Sequence, residues 1–135
     1  MNPTGEALIQ VPFHDVDIMG VVWHGHYYKY FELARTDLFR KLHCDVDDLR
    51  AMGLILPVIE SHCRYVAPLI YGLSIRVVAT LVESEFRLGV DYLVTEAASS
   101  KRLAKGKTLQ VVLSAQNSRM MMPVPEKLAK LLAIA

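Results

Sequence analysis

The chain has 135 residues, 53% hydrophobic and 21% charged, with fifteen Lys and Arg against fourteen Asp and Glu. That length suits one domain over residues 1–135, and that composition excludes a mainly disordered chain. A formal charge of +1 supplies no global field for a polyanion, so a dedicated nucleic-acid binder is not expected. Cys44 and Cys63 form neither a disulfide framework nor a metal-type pair. The first residues, Met-Asn-Pro-Thr-Gly-Glu, lack the basic start and apolar stretch of a signal peptide. No run of about 18 apolar residues occurs, so no membrane-spanning helix is expected and a cytoplasmic location is the working reading.

Residues 7–13 predict a short strand with Ile9, Val11 and Phe13 on one face, and Pro12 favours an edge or a strand end. The stretch that follows has no period and carries His14, Asp15, Asp17, Gly20, His24, Gly25 and His26. Tyr27, Phe31, Ala34, Leu38 and Leu42 are then spaced by three or four, the signature of one helical face. Asp37 with Lys41, and Glu32 with Arg35, predict ion pairs on a wetter flank. Residues 45–52 predict a short extra turn ending at Gly53.

Period two takes over afterwards. Strands are expected over residues 54–66, bent near Pro57, and over 73–82, with Leu73, Ile75, Val77, Ala79 and Leu81 on one face. Two more are expected over 86–95, with Phe86, Leu88, Val90, Tyr92 and Val94 inward, and over 103–116, with Gly106 as a bulge. Short connections predict that consecutive strands pair antiparallel. Residues 125–134 predict a loosely held terminal helix. One long helix on about five strands is an α+β arrangement; it covers one face of the sheet, and a homo-oligomer is expected to bury what is left.

The chemical segment runs Val11-Pro12-Phe13-His14-Asp15-Val16-Asp17-Ile18-Met19-Gly20-Val21-Val22-Trp23-His24-Gly25-His26-Tyr27. Two acids follow a strand, and a glycine-containing loop opens directly into the long helix. No Ser, Thr, Asp or Asn stands at the obvious N-cap position, so the first backbone N–H groups are left without side-chain partners. Such groups carry partial positive charge and suit an oxyanion or a polarised carbonyl. A carboxylate facing them can act as base or nucleophile, a minimal kit for acyl transfer. The plainer reading of the same residues is that Asp15 and Asp17 only cap turns.

The run from Asp15 to Tyr27, followed by Tyr30-Phe31-Glu32 and Ala34-Arg35, resembles the signature of the hotdog-fold 4-hydroxybenzoyl-CoA thioesterase family. Arg64-Tyr65-Val66-Ala67-Pro68 is similar to the family's second-strand pattern, and Gly106 and Pro125 fall where its last strand and tail are punctuated. The resemblance implies a long central helix wrapped by a five-stranded antiparallel sheet, with active sites at the subunit interface of a homodimer or homotetramer. It implies an acyl-CoA substrate and no cofactor. Asp17 matches the catalytic carboxylate, the backbone N–H at His24 matches the group that polarises the thioester carbonyl, and Gly20 permits the tight loop. Tyr27 and Glu32 match packing and helix-anchoring positions. Trp23 stands where Tyr or Phe is usual, which would reshape the acyl pocket. His26 stands where Asn or Ser is common; it either caps the helix or adds a proton donor, and capping is the expectation. Ile18 and Met19 are bulkier than usual and would make the entrance greasier.

Val22, Trp23, Gly25 and His26 therefore complete the expected substrate-binding set around Gly20. Lys101, Arg102 and Lys105, with Lys107 beside them, read either as a solvated hairpin or as contacts to the phosphates of coenzyme A. Met120-Met121-Met122 reads as adaptable packing. His14, His24, His26 and the two aspartates lack zinc-type spacing, and histidines two apart on a helix point to nearly opposite sides, so no metal is expected. No Gly-x-Ser-x-Gly occurs, and Cys44 gains no base merely by following His43. A hotdog hydratase would carry His five residues after the acid, where this chain has Val22, or a His-Phe-Pro run, which is absent. The remaining rivals are a carrier-protein thioesterase and a non-catalytic acyl-binding subunit.

Overall fold

The computed structural model describes residues 2–133. In chain order it contains strand β1 (Thr4–Gln10), helix α1 (Tyr27–Lys41), helix α2 (Val46–Ala51), and strands β2 (Leu54–Ile55), β3 (Val58–Tyr65), β4 (Ser74–Glu83), β5 (Leu88–Glu96), β6 (Arg102–Gln110) and β7 (Leu113–Ser114), then helix α3 (Glu126–Leu131). Two single 3-10 turns, Phe13–Asp15 and His24–His26, flank the chemical segment. The five long strands form one antiparallel sheet in the order β1-β4-β5-β6-β3, with α1 laid across it. The expected α+β arrangement of one long helix and five antiparallel strands is what forms.

Helix α1 buries Tyr27, Phe31, Ala34 and Leu38 as the spacing predicts, and adds Tyr30 and Phe39; Leu42 is half-buried. Ile75, Val77, Ala79 and Leu81 of β4 and Val90, Tyr92 and Val94 of β5 meet that face, all essentially out of contact with water. The Phe31 ring stacks on Tyr92 at 4.5 Å with only 9° between planes. Lys41 pairs with Asp37 at 3.0 Å, and Asp37 also accepts the Glu6 amide at 2.8 Å, which ties α1 to the edge strand. Glu32 and Arg35 form no such pair among the described residues; the Arg35 guanidinium lies beside the Tyr92 hydroxyl instead.

Several sequence expectations need correction. β3 does not pair with β4, its successor, but with β6 at the far side of the sheet, while β4 pairs with β1. The cause is the link over residues 66–73, which crosses the end of the sheet instead of turning back. Its Val66 and Ala67 amides bond to Leu103 O, and its Gly72 amide bonds to Val11 O. The strand expected over 54–66 divides at Leu56-Pro57, and that over 103–116 divides after Gln110, because β2 and β7 leave to form a separate two-stranded ladder. Phe13 and Phe86 lie outside their expected strands and are exposed. The terminal helix is docked rather than loose, with Leu128 and Leu132 fully buried; position 134 lies outside the described residues.

Gly106 is no bulge, since it pairs in unbroken register with Cys63 and Tyr92. A Cβ there would run into the edge of the Phe31 ring and the His62 carbonyl, so glycine leaves room for that ring over β6. Gly5 lets the backbone of α1 lie close against β1, where a Cβ would lie 2.6 Å from Leu38 Cα and collide with backbone. Backbone cannot rotate away as a side chain can. Gly5→Ala should therefore destabilise the protein by about 1–3 kcal/mol through overpacking, measured as a lowered urea midpoint.

Candidate active site

The segment between β1 and α1 is a miniature hairpin. Val16 and Val22 bridge antiparallel, the Asp17 amide donates to Val21 O at 2.9 Å, and the Trp23 amide donates to Asp15 O at 3.1 Å. A turn over residues 17–20 closes it, with the Gly20 amide donating to Asp17 O at 2.9 Å. Gly20 holds φ at +82°, a conformation that side-chain-bearing residues adopt only with strain. The link over 66–73 braces the hairpin from below, since the Val22 amide donates to Leu69 O at 2.8 Å and Val21 bridges Ile70.

Asp17 sits at the closing turn, half-buried. Its Oδ1 accepts the Met19 amide at 2.9 Å, so the residue does shape its turn, as the plainer reading has it. Among the described residues nothing donates to Oδ2, which leaves one carboxylate oxygen for chemistry. The other strand of the hairpin runs through Trp23 into the 3-10 turn His24–His26 and then into α1. No side chain caps that turn or the helix. The His26 amide bonds back to Trp23 O and the Tyr27 amide to His24 O, but the His24 and Gly25 amides meet no acceptor among the described residues. Two open N–H groups thus stand at the positive end of a helix dipole, joined to the carboxylate by the rungs of one short hairpin.

The buried acid of the segment is Asp15, which is 2% exposed and is the one buried charged residue among those described. Lys29 Nζ donates to its Oδ1 at 2.6 Å and the Tyr30 hydroxyl to its Oδ2 at 2.6 Å, both from the start of α1. Burial pushes the Asp15 carboxyl up, but the hydrogen bonds from Lys29 and Tyr30, with the charges of Lys29 and His26, outweigh it and hold the group below its ordinary value. Burial, and then the bond to Asp15, pushes the Tyr30 hydroxyl up, so it remains a donor. Tyr65, at the end of β3, adds a second brace by donating to His24 O at 3.0 Å. Burial followed by the neighbouring Cys63 pushes its hydroxyl up to about 12.

The structure brings Asp17, Gly20, Trp23, His24, Gly25 and His26 into this one loop, with three qualifications. Val22 is 3% exposed and belongs to the core, so its side chain does not face a ligand. His26 does not cap the helix: its ring packs edge-on against Trp23 at 5.3 Å, and its Nε2 lies 3.9 Å from Asp15 Oδ1. The Trp23 ring folds over Gly25 where a Cβ would be, so a side chain there would displace that ring. Lys101 and Arg102 lie at the β5–β6 turn, and Lys105 faces outward between Arg64 and Leu93 on β6. None of the three bonds to the hairpin among the described residues, although Leu103, beside Arg102, holds the link that braces it. The sequence assigns no role to Lys29, and it offers Tyr30 and Tyr65 only as members of motifs and Asp15 only as one of two loop acids. The signal in the sequence is that Tyr30 follows Tyr27 by three at the start of the helix.

His14 Nε2 also approaches Asp15 Oδ1, at 3.7 Å, but among the described residues no three His, Cys, Asp or Glu side chains gather as a metal site would require. Cys44 is buried, and burial followed by Asp48 and Asp45 pushes its thiol up to about 12, which keeps it from acting as a nucleophile. A cavity of about 390 Å³, bounded by Glu32, Arg35 and Phe39 of α1 and by Val46 and Leu49 of α2, shares no lining residue with the hairpin.

Because the folded Asp15 carboxyl titrates below its unfolded value, its contribution to stability is complete above the unfolded carboxylate range near pH 4 and is lost as pH falls through the folded value. Replacing it by Asn should cost about 1.5–3 kcal/mol at pH 7, the range for hydrogen bonds to a charged group. The variant should also show a shallower loss of urea midpoint below pH 4 than the wild type.

A model of the thioesterase-like superfamily matches residues 11–132. A protein of Aquifex aeolicus, described as a candidate esterase, is 34% identical over 86 residues, covering 63% of this chain and 67% of that protein. A candidate acyl-CoA thioesterase of Bacillus subtilis is 35% identical over 75 residues, 56% of this chain and 54% of its own length. A crystal structure of a 4-hydroxybenzoyl-CoA thioesterase variant bound to 4-hydroxybenzoyl-CoA superposes with a TM-score of 0.83 over 97% of this chain and 99% of that one, at 14% identity, which speaks for the hotdog fold alone. With a family model spanning nearly its whole length, the chain belongs to the thioesterase-like superfamily, a family of thioester hydrolases.

Proposed function

We propose that the protein hydrolyses an acyl-CoA to the free acid and coenzyme A, with Asp17 as the reacting carboxylate. The observation that carries this is the free Oδ2 of Asp17, held by a short hairpin whose other strand leads to the open His24 and Gly25 amides. In the general-base form, Asp17 takes a proton from water as its oxygen attacks the thioester carbonyl carbon. The oxyanion is met by the His24 and Gly25 N–H groups, and its collapse breaks the C–S bond, with the proton passing to the departing thiolate. In the nucleophilic form Asp17 attacks first and water then cleaves the mixed anhydride. A single turnover in labelled water separates the two, since only the second leaves label in the protein.

Coenzyme A as the carrier is favoured by the name of the Bacillus relative and by Lys101 and Arg102 standing at the same end of the sheet as the link that braces the hairpin. A carrier-protein thioesterase would use the same chemistry, and the same acyl group offered on both carriers tells them apart. The site is further proposed to be completed by a second copy of the chain. Ile18 at the hairpin tip is fully exposed, and Phe13, Met19, Trp23, Ile70 and Tyr71 around it are large apolar side chains in water. An apolar group of that size is unusual on a monomer.

Asp17→Asn should lower turnover of acyl-CoA by about 10²–10⁴-fold, the usual worth of a general base, as read by thiol release from a panel of acyl-CoAs. Undiminished release would reject the role of Asp17. Light scattering should return a mass at a multiple of 15.2 kDa, and a monomer would reject the shared site.

A further inference from the structure

Resting on the hydrolytic reading above, we propose that Asp15 is the positioning residue of this site, holding the Asp17 turn and the open amides of His24 and Gly25 in one fixed relation. Asp15 touches both sides of that relation. Its backbone carbonyl accepts the Trp23 amide at 3.1 Å, which sets where the chain enters the 3-10 turn. Two residues on, along the same strand of the hairpin, stands Asp17. The side chain then fastens this strand to α1 through Lys29 and Tyr30, each bond 2.6 Å long. Hairpin, turn and helix start so form a closed ring, and the Asp15 carboxylate is the link that closes it.

A charge is a costly choice for a purely structural peg. Taking a carboxylate out of water is repaid only with well-placed partners, and an apolar replacement often serves stability as well. What a doubly hydrogen-bonded carboxylate supplies better than an apolar side chain is direction, because each oxygen must meet its own donor. Direction is also what the chemistry requires, since an error of about 1 Å between reacting groups can cost about 100-fold in rate. Lys29 is half exposed, while the Tyr30 side chain is wholly enclosed, so the hydroxyl is the stiffer of the two anchors.

The test uses the protein's single tryptophan as a native probe, because Trp23 bonds to Asp15 and its ring lies against His24 and His26. Asp15→Asn, Tyr30→Phe, Lys29→Ala and Lys29→Arg are compared with wild type at a temperature where circular dichroism shows every variant folded. Asp15→Asn and Tyr30→Phe should lower kcat about 10–100-fold with KM little changed, and should shift Trp23 emission and its quenching by acrylamide. Lys29→Arg, which keeps the ion pair, should restore most of the kcat lost in Lys29→Ala. Tyr30→Phe removes one oxygen without changing shape, so it decides the matter if Asp15→Asn does not fold. Wild-type kcat in Tyr30→Phe, or a fall in kcat with Trp23 emission unmoved, overturns the proposal. Asp17→Asn serves as the separate control, losing turnover while keeping wild-type Trp23 emission. If that variant turns over normally the role of Asp17 falls, and Trp23 emission in the Asp15 and Tyr30 variants still decides whether Asp15 sets the turn.

Discussion

The bond pair from Lys29 and Tyr30 to the Asp15 carboxylate is the interaction on which the arrangement of the chemical segment depends. A loop between a strand and a helix is normally the most adjustable part of a domain. Here it is short of freedom at every point. Its closing turn relies on Gly20, its underside on the Leu69 carbonyl, its far end on the Tyr65 hydroxyl, and its link to the helix on a buried charge. The helix in turn keeps its place through glycines: Gly5 lets the backbone of α1 lie close against β1, and Gly106 makes room for the Phe31 ring.

This division of labour separates the two acids of one tripeptide. Asp15 is buried with a donor on each carboxylate oxygen, whereas Asp17, two residues on, is half-buried and bonded through one oxygen alone. The 3-10 turn that ends at Asp15 turns its carboxylate inward to the helix, and the tight turn beginning at Asp17 leaves the second carboxylate near the surface. One acid is therefore held by a donor on each oxygen, and the other keeps a free oxygen. Their chemistry is set by surroundings, because the side chains are identical.

The long elements were legible because their periods were. Tyr27, Phe31, Ala34 and Leu38 announce a helix face, and Ile75, Val77, Ala79 and Leu81 a strand face, whatever surrounds them. The missing N-cap at the helix start was legible too, since a cap depends on one residue type at one position. What could not be read needed distant partners. The burial of Asp15 depends on Lys29 and Tyr30, the strand order depends on the route of residues 66–73, and a glycine that makes room for a ring looks the same in sequence as one that makes a bulge. The place of His26 is hidden for the same reason, since its neighbour, Asp15, lies eleven positions upstream in the chain.

The pairing of β1 with β4 has a consequence for how the protein reaches this state. β4, β5 and β6 form a meander from neighbouring stretches of chain, whereas Thr4 must find Thr80 and Gln10 must find Ser74. The entropy of loop closure rises with the length of chain enclosed, so this is the most demanding closure among the pairings of the sheet. The hairpin that bears Asp17 lies within that enclosed stretch, immediately after β1. The chemical loop thus lies inside the longest closure of the sheet, next to the strand that seals its edge.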